Sequence, residues 1–214
     1  METNIAIMMA DLSGYTALTE IHGAERAADM VDRYLELVNK SLVGDSRLHE
    51  RAGDQVVIVS SSAEQLAYTA TFLFERVHEQ ESFLALHAGL HYGPVIQKGN
   101  AYFGSAMNTA SRIMSAAEKG KILCSKEFLE QLPVSHAFVT SNKGWHQFKN
   151  LLHPVDLFEL HCCIRNISRT YVIDPVCHML ITTPKKAVQL EHKGTAYYFC
   201  SEKCRDMYIT HHLA

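Results

Sequence analysis

Two aspartates stand where a chain can hold divalent cations. Asp11 closes the short apolar run Ile5-Ala6-Ile7-Met8-Met9, and Asp54 follows Gly53 between two strand-like segments. Carboxylates at neighbouring strand ends suit two-metal phosphoryl transfer, in which ions clamp the attacking and leaving oxygens and anionic oxygens hold the ions. Asp11 runs into Leu12-Ser13-Gly14-Tyr15-Thr16, whose backbone N–H groups can form a nest or helix N-terminus facing a triphosphate. Taken singly, each signal has a plainer reading: an Asp before Ser-Gly is a helix N-cap, and Gly-Asp between strands is a turn. Asn108 and Arg112 lie four residues apart on a predicted helix. They either point an amide and a guanidinium at one ligand or form a solvated polar pair.

The elements that must position these groups follow from periodicity. The apolar run reads as a buried strand ending at Asp11. Over 16–42, Ala27, Met30, Val31, Tyr34, Leu35 and Val38 recur at helical spacing, with Gly23 allowing a break, so one long helix or two abutting ones are expected. Segments 46–51 and 55–60 read as a hairpin whose tip, Ala52-Gly53-Asp54, carries the second aspartate. A helix over 63–78, a strand over 84–90 and a helix over 105–118 complete a β-α-β-β-α-β order, which is ferredoxin-like and of the α+β class. Segments 121–125 and 155–160 supply further strands, and the pattern changes at Ile164-Arg165-Asn166-Ile167-Ser168-Arg169. The expected organisation is a domain over 1–163, a linker over 164–170 and a small module over 171–214.

In order along the chain, Met9-Ala10-Asp11-Leu12-Ser13-Gly14-Tyr15-Thr16, Ala52-Gly53-Asp54, Ala88-Gly89-Leu90-His91-Tyr92-Gly93-Pro94-Val95, 102–113 and Gly120-Lys121-Ile122-Leu123-Cys124-Ser125 resemble successive motifs of the class III nucleotide cyclase catalytic domain. The resemblance covers residues 1 to about 160 and implies that Asp11 and Asp54, with the Leu12 backbone carbonyl, hold two Mg2+ or Mn2+ ions. It further implies that Ser13, Gly14, Tyr15 and Thr16 surround the triphosphate, that Asn108 orients the ribose, and that Arg112 stabilises charge on the transferred phosphoryl group. Phe148-Lys149-Asn150-Leu151 resembles the family's lysine-glycine strand, which implies a triphosphate contact for Lys149, with Asn150 in place of the usual glycine. Family members share each site between two subunits, so a homodimer is implied.

The base-recognition positions depart from the adenylate pattern. Glu50 stands where adenylate cyclases carry lysine, and Ala101 where they carry aspartate. The glutamate resembles the guanylate pattern, since a carboxylate accepts from the guanine N1–H and exocyclic amine. Ala101 can make no polar contact, so the substrate reading stays at ATP or GTP.

Asp174-Pro175-Val176-Cys177-His178-Met179 and Tyr197-Tyr198-Phe199-Cys200-Ser201-Glu202-Lys203-Cys204 resemble the two halves of a YHS domain, a relative of the TRASH metal-binding modules. A unit this short needs docking or a metal staple to hold together. The spacing of Cys200 and Cys204 puts two sulfurs on one helical face, and Cys177 would reach them across a hairpin. His178, His211 or His212 would supply a fourth ligand to zinc or another soft cation such as cuprous copper. The plainer reading makes these cysteines small buried hydrophobes, and that reading is preferred for Cys162 and Cys163.

The bulk composition is compatible with this. Of 214 residues 47% are hydrophobic and 20% charged, as in a globular protein, and a formal charge of -3 gives no positive field for nucleic acid or an anionic membrane. Neither a signal peptide nor an apolar run of membrane-spanning length is visible, so the cytoplasm is the expected compartment. The expected function is conversion of a purine nucleoside triphosphate to its 3′,5′-cyclic monophosphate and pyrophosphate, with the module as a metal- or redox-sensitive regulator. The alternative is a catalytically silent dimeric scaffold that senses nucleotide or metal. Ala101 favours that alternative, and the retention of Asp11, Asp54, Asn108 and Arg112 opposes it.

Overall fold

The computed structural model describes residues 2–161, 171–181 and 187–213. The linker expected at 164–170, with Cys162 and Cys163 beside it, lies outside the described residues. The opening apolar run forms β1 (Glu2–Leu12), and Ile5 to Ala10 are buried without alternation, as a strand covered on both faces must be. Two abutting helices follow, α1 (Tyr15–His22) and α2 (Ala24–Ser41). Gly23 separates them at φ 91°, a conformation that L side chains resist, while its N–H still closes α1 on the Thr19 carbonyl. The expected hairpin is β2 (Arg47–Ala52) and β3 (Gln55–Ser60), and Gly53 turns it at φ 65°.

Helix α3 (Ala63–His78) starts at Ser62, whose side chain accepts from the Gln65 N–H. Next come β4 (Phe83–Leu84), β5 (Leu86–Lys98), β6 (Ala101–Phe103), α4 (Ser105–Ala116), β7 (Ile122–Ser125), α5 (Lys126–Leu129), β8 (Val139–His146) and β9 (Val155–His161). Eight strands make one sheet in the order β2-β3-β1-β5-β7-β9-β8, with β6 on β5. The β-α-β-β-α-β unit accounts for its β2-β3-β1-β5 part, which is antiparallel throughout. Both the fold class and the ferredoxin-like core are as the sequence implies.

The pleat sorts β1 between two layers. Ala6, Met8, Ala10 and Leu12 face the core shared with α2 and α3, whereas Ile5, Ile7 and Met9 face α4 through Ala106, Ala110 and Met114. Gly89 lets α4 approach: a Cβ there would stand 2.2 Å from the Met114 nitrogen and 2.7 Å from the Ala110 carbonyl oxygen. Asp11, two residues beyond Met9, therefore faces the α4 side of the sheet.

The C-terminal module comprises β10 (Val172–Ile173), β11 (Met179–Ile181), the hairpin β12 (Val188–His192) and β13 (Thr195–Phe199), and α6 (Glu202–His212). Strand β11 pairs with β4 through Met179↔Leu84 and Leu180↔Phe83, all four buried, so the module adds to the main core. No helix among the described residues is long and apolar enough to cross a membrane.

Candidate functional site

The register β1 shares with β5 places His87 directly opposite Asp11. Its Nδ1 lies 3.0 Å from the Ser13 hydroxyl and its Nε2 3.9 Å from Asp11, so one imidazole spans the carboxylate and the loop behind it. From the hairpin tip Asp54 comes close enough to Asp11 for the two carboxyls to shift each other's ionisation. Burial raises the pKa of both; with the Asp11 charge added, Asp54 is pushed up to about 6. Burial lowers that of His87, so the imidazole stays neutral. In the core on the other face of the sheet, Tyr34 of α2 is fully buried and its hydroxyl has no hydrogen-bond partner among the described residues. Burial first, then the charges of Asp11 and Asp54, hold its pKa well above 10. Two half-buried carboxyls that raise each other's cost of ionisation form a donor set that a divalent cation would satisfy. Leu12 buries its side chain in the core, which leaves its backbone as the only group it can offer.

Ser13-Gly14 forms the turn into α1. The Ser13 N–H donates to the Ala85 carbonyl at 2.7 Å, and Gly14 at φ 90° is an N-cap without a side-chain acceptor. The first N–H groups of α1, at Tyr15 and Thr16, are thus left uncapped, with the positive end of the helix dipole behind them. A cavity of about 540 Å³ opens here, lined by Ser13, Gly14, His87, Lys119 and His178 among others.

At the far edge of the sheet, β2 carries a bulge between Leu48 and Glu50. The extra residue, His49, changes the parity of the strand: Glu50 pairs with Val57 and so turns to the α4 face that Asp11 also occupies. His49 packs tilted against Tyr102 with ring centroids 4.7 Å apart, and the Arg47 guanidinium donates to the Tyr102 hydroxyl at 2.7 Å. These contacts hold β6, and with it Ala101, against β2. Glu50 and Ala101 are therefore on adjoining segments, both exposed.

Asn108 and Arg112 are exposed on α4, and neither side chain has a hydrogen bond or ion pair among the described residues. Lys149 is placed differently from expectation. It is exposed in the turn between β8 and β9, not on a strand, and the Leu151 N–H donates back to the Phe148 carbonyl at 3.2 Å. Asn150 takes φ 67° there, the left-handed conformation for which glycine is usual and which asparagine tolerates best among the other residues.

The second cluster brings the three expected cysteines together beside a histidine other than those the sequence suggested. Cys177, Cys200 and Cys204 do converge, with sulfurs 3.4 and 3.6 Å apart, but the histidine beside them is His22 of α1. Its Nε2 lies 3.7 Å from Cys200 Sγ and 3.8 Å from Cys204 Sγ. His178 instead turns toward Gly14, at φ 61° in the position where glycine is common, while His211 and His212 are exposed at the end of α6. Cys200 and Cys204 also meet by a different route. Helix α6 begins at Glu202 with Ser201 as N-cap accepting from the Cys204 N–H, so Cys200 precedes the helix. Asp174, fully buried, fixes the thiols from below by accepting from the backbone N–H groups of Val176, Cys177 and Cys200 at 2.8, 3.2 and 2.7 Å. Three thiols this close cannot all ionise without a cation: hydrogen bonding to Cys200 and Cys204 pushes Cys177 up, and the same sharing draws Cys204 down.

Known proteins resemble both parts of the chain. Residues 1–161 match the family described as adenylate and guanylate cyclase catalytic domain, and residues 172–209 match the YHS domain. An uncharacterized protein of Mycobacterium tuberculosis is 35% identical over 156 residues, 72% of this chain and 40% of the relative. A pH-sensitive adenylate cyclase of the same species is 28% identical over 169 residues, 78% of this chain and 42% of that protein. The chain thus spans about two fifths of the length of these relatives. Among solved structures, a Trypanosoma brucei adenylate cyclase in its monomeric state superposes with a TM-score of 0.70 at 16% identity, over 79% of this chain and 91% of that one.

Proposed function

The chain belongs to the adenylate and guanylate cyclase catalytic-domain family and carries a C-terminal YHS domain, and on that premise we propose that it converts a purine nucleoside triphosphate to its 3′,5′-cyclic monophosphate and pyrophosphate. The observation that carries the reading is the approach of Asp54, at the hairpin tip, to Asp11, at the end of β1, beside an uncapped helix N-terminus. Asp11, Asp54 and the Leu12 carbonyl would hold two Mg2+ or Mn2+ ions, which when bound neutralise the triphosphate and acidify the ribose 3′-hydroxyl. The chain's own groups do the rest. His87 stands beside Asp11, its Nε2 3.9 Å from the carboxylate, while Ser13 fixes its other nitrogen. The N–H groups at the start of α1 receive phosphate oxygens. Glu50 faces the base edge, and the relatives' adenylate cyclase names leave ATP in competition with the GTP that a carboxylate there favours.

Asn108 and Arg112 project from α4 into solvent, which supports a homodimer in which they reach the substrate held by the partner's aspartates. Arg112 then meets charge that develops on the phosphoryl group, and Asn108 fixes the ribose. The test is incubation of purified protein with each nucleoside triphosphate and Mn2+, followed by chromatography. A cyclic purine nucleotide accompanied by equimolar pyrophosphate is expected; no cyclic product from any substrate would favour the silent scaffold that Ala101 alone recommends.

A further inference from the structure

The C-terminal module grips helix α1 at both ends. At the N-terminal end, a Cβ on Gly14 would stand 2.5 Å from His178 Nδ1 and 2.9 Å from the Cys177 carbonyl oxygen, so the turn bearing Cys177 rests on the loop that opens the helix. About 12 Å further on, at the C-terminal end, the Lys203 ammonium donates to the Ile21 carbonyl, one of the acceptors a helix end leaves unpaired. The next residue is His22, whose imidazole enters the thiol cluster. Gly23 makes this possible by ending α1 there and turning the chain away into α2.

The four donor atoms have the dimensions of a tetrahedral site. Zinc bound at about 2.3 Å to sulfur and about 2.0 Å to nitrogen separates sulfurs by about 3.8 Å and sulfur from nitrogen by about 3.5 Å. The chain has 3.4 and 3.6 Å for two of the three sulfur pairs and 3.7 and 3.8 Å for two of the three sulfur–nitrogen pairs, and all four atoms lie within 4.8 Å of one another. A disulfide requires about 2.05 Å, so none of these contacts is one. Two ligands are buried and two are partly exposed, which leaves an entry path for the ion.

From this geometry we infer that one Zn2+-class cation binds to His22, Cys177, Cys200 and Cys204, and that its nitrogen ligand comes from the catalytic domain, so the ion staples the module to α1. Three thiolates alone would give a site private to the module. His22 makes metal occupancy a statement about the position of α1, whose first turn is the phosphate loop; that consequence rests on the cyclase reading, whereas the metal site does not.

The test uses the full chain, reduced and stripped of metal. Zn2+ is titrated against a chromophoric chelator, Co2+ is substituted to read the ligand set from its visible spectrum, and amide hydrogen exchange is followed over residues 13–22. Wild type should bind one ion per chain and slow exchange across α1. His22→Ala should weaken Zn2+ binding by about 100-fold or more, change the Co2+ spectrum and abolish the protection of α1. His22→Cys should restore tight binding with a four-sulfur spectrum, which shows that the alanine variant lost a ligand and not its fold. Unchanged affinity and spectrum in His22→Ala, or no tight Zn2+ binding by wild type, would overturn the inference. None of these readouts depends on cyclase turnover.

Discussion

Replacing Asp54 with asparagine should stabilise the metal-free fold while destroying its chemistry. In the native chain burial and the neighbouring Asp11 lift Asp54 from an ordinary value of 3.8 to about 6. A carboxyl raised in this way contributes its full stability below the unfolded value and loses it as pH rises through the folded one, because the folded state then disfavours the charge the unfolded state accepts. The whole displacement corresponds to about 3 kcal/mol. Asp54 is only half-buried, so solvent screening reduces this to about 1 kcal/mol. Asparagine keeps the shape and removes the charge, so in the presence of chelator Asp54→Asn should melt about 2–4 °C above wild type near pH 7.5. Near pH 4, where wild-type Asp54 is protonated, the difference should vanish. Millimolar Mg2+ should raise the melting temperature of wild type and not of the variant, and cyclic product should be lost. Differential scanning calorimetry at the two pH values decides the matter. A variant less stable than wild type near pH 7.5, or equally stabilised at both pH values, would refute the strained carboxyl pair.

Gly89→Ala drives a Cβ into the backbone of α4, at the Met114 nitrogen and the Ala110 carbonyl, where no side-chain rotation can relieve it. It should cost about 1–3 kcal/mol, read as a lowered melting temperature, and reduce turnover because α4 carries Asn108 and Arg112. Asp174→Ala leaves three N–H groups in and around the thiol cluster without their acceptor. The module should loosen by about 3 kcal/mol or more in hydrogen exchange and hold Zn2+ about 10–100-fold more weakly. Glu50→Lys should shift substrate preference toward ATP, since an ammonium donates to adenine N1 and repels the guanine N1–H; unchanged relative rates with ATP and GTP would make Glu50 a bystander.

How much of this was legible in the sequence depends on whether the signal is local. The run Ile5–Met9, the periodic apolar residues of α2, the Gly23 break and the Gly53 hairpin all express their structure within a few residues, and each is found where the sequence places it. Strand β8 was not legible: Thr140-Ser141-Asn142-Lys143-Gly144 is polar, and its pairing with β9 gives it order that its own side chains do not announce. His87 was missed because its meaning is its register opposite Asp11, which requires the β1–β5 pairing to be known first. The same limit explains His22. Within the module the sequence offers His178, His211 and His212 as fourth ligands, whereas the packing of α6 against the end of α1 brings to the thiols a histidine 155 positions before Cys177. The bulge at His49, which sets the face of Glu50, has no glycine to mark it.

The most direct test of the account is complementation between two inactive proteins. Asp54→Ala removes a metal ligand and Arg112→Ala removes the arginine that the other subunit should offer. Each alone should form no cyclic nucleotide. If every site draws on two subunits, equimolar mixing with free exchange makes half the dimers mixed, each with one intact site of two, and should restore about a quarter of wild-type activity. Mixtures that stay silent although subunit exchange is demonstrated by labelled chains would contradict the interfacial site, and activity in Arg112→Ala alone would contradict the role of α4 in the reaction.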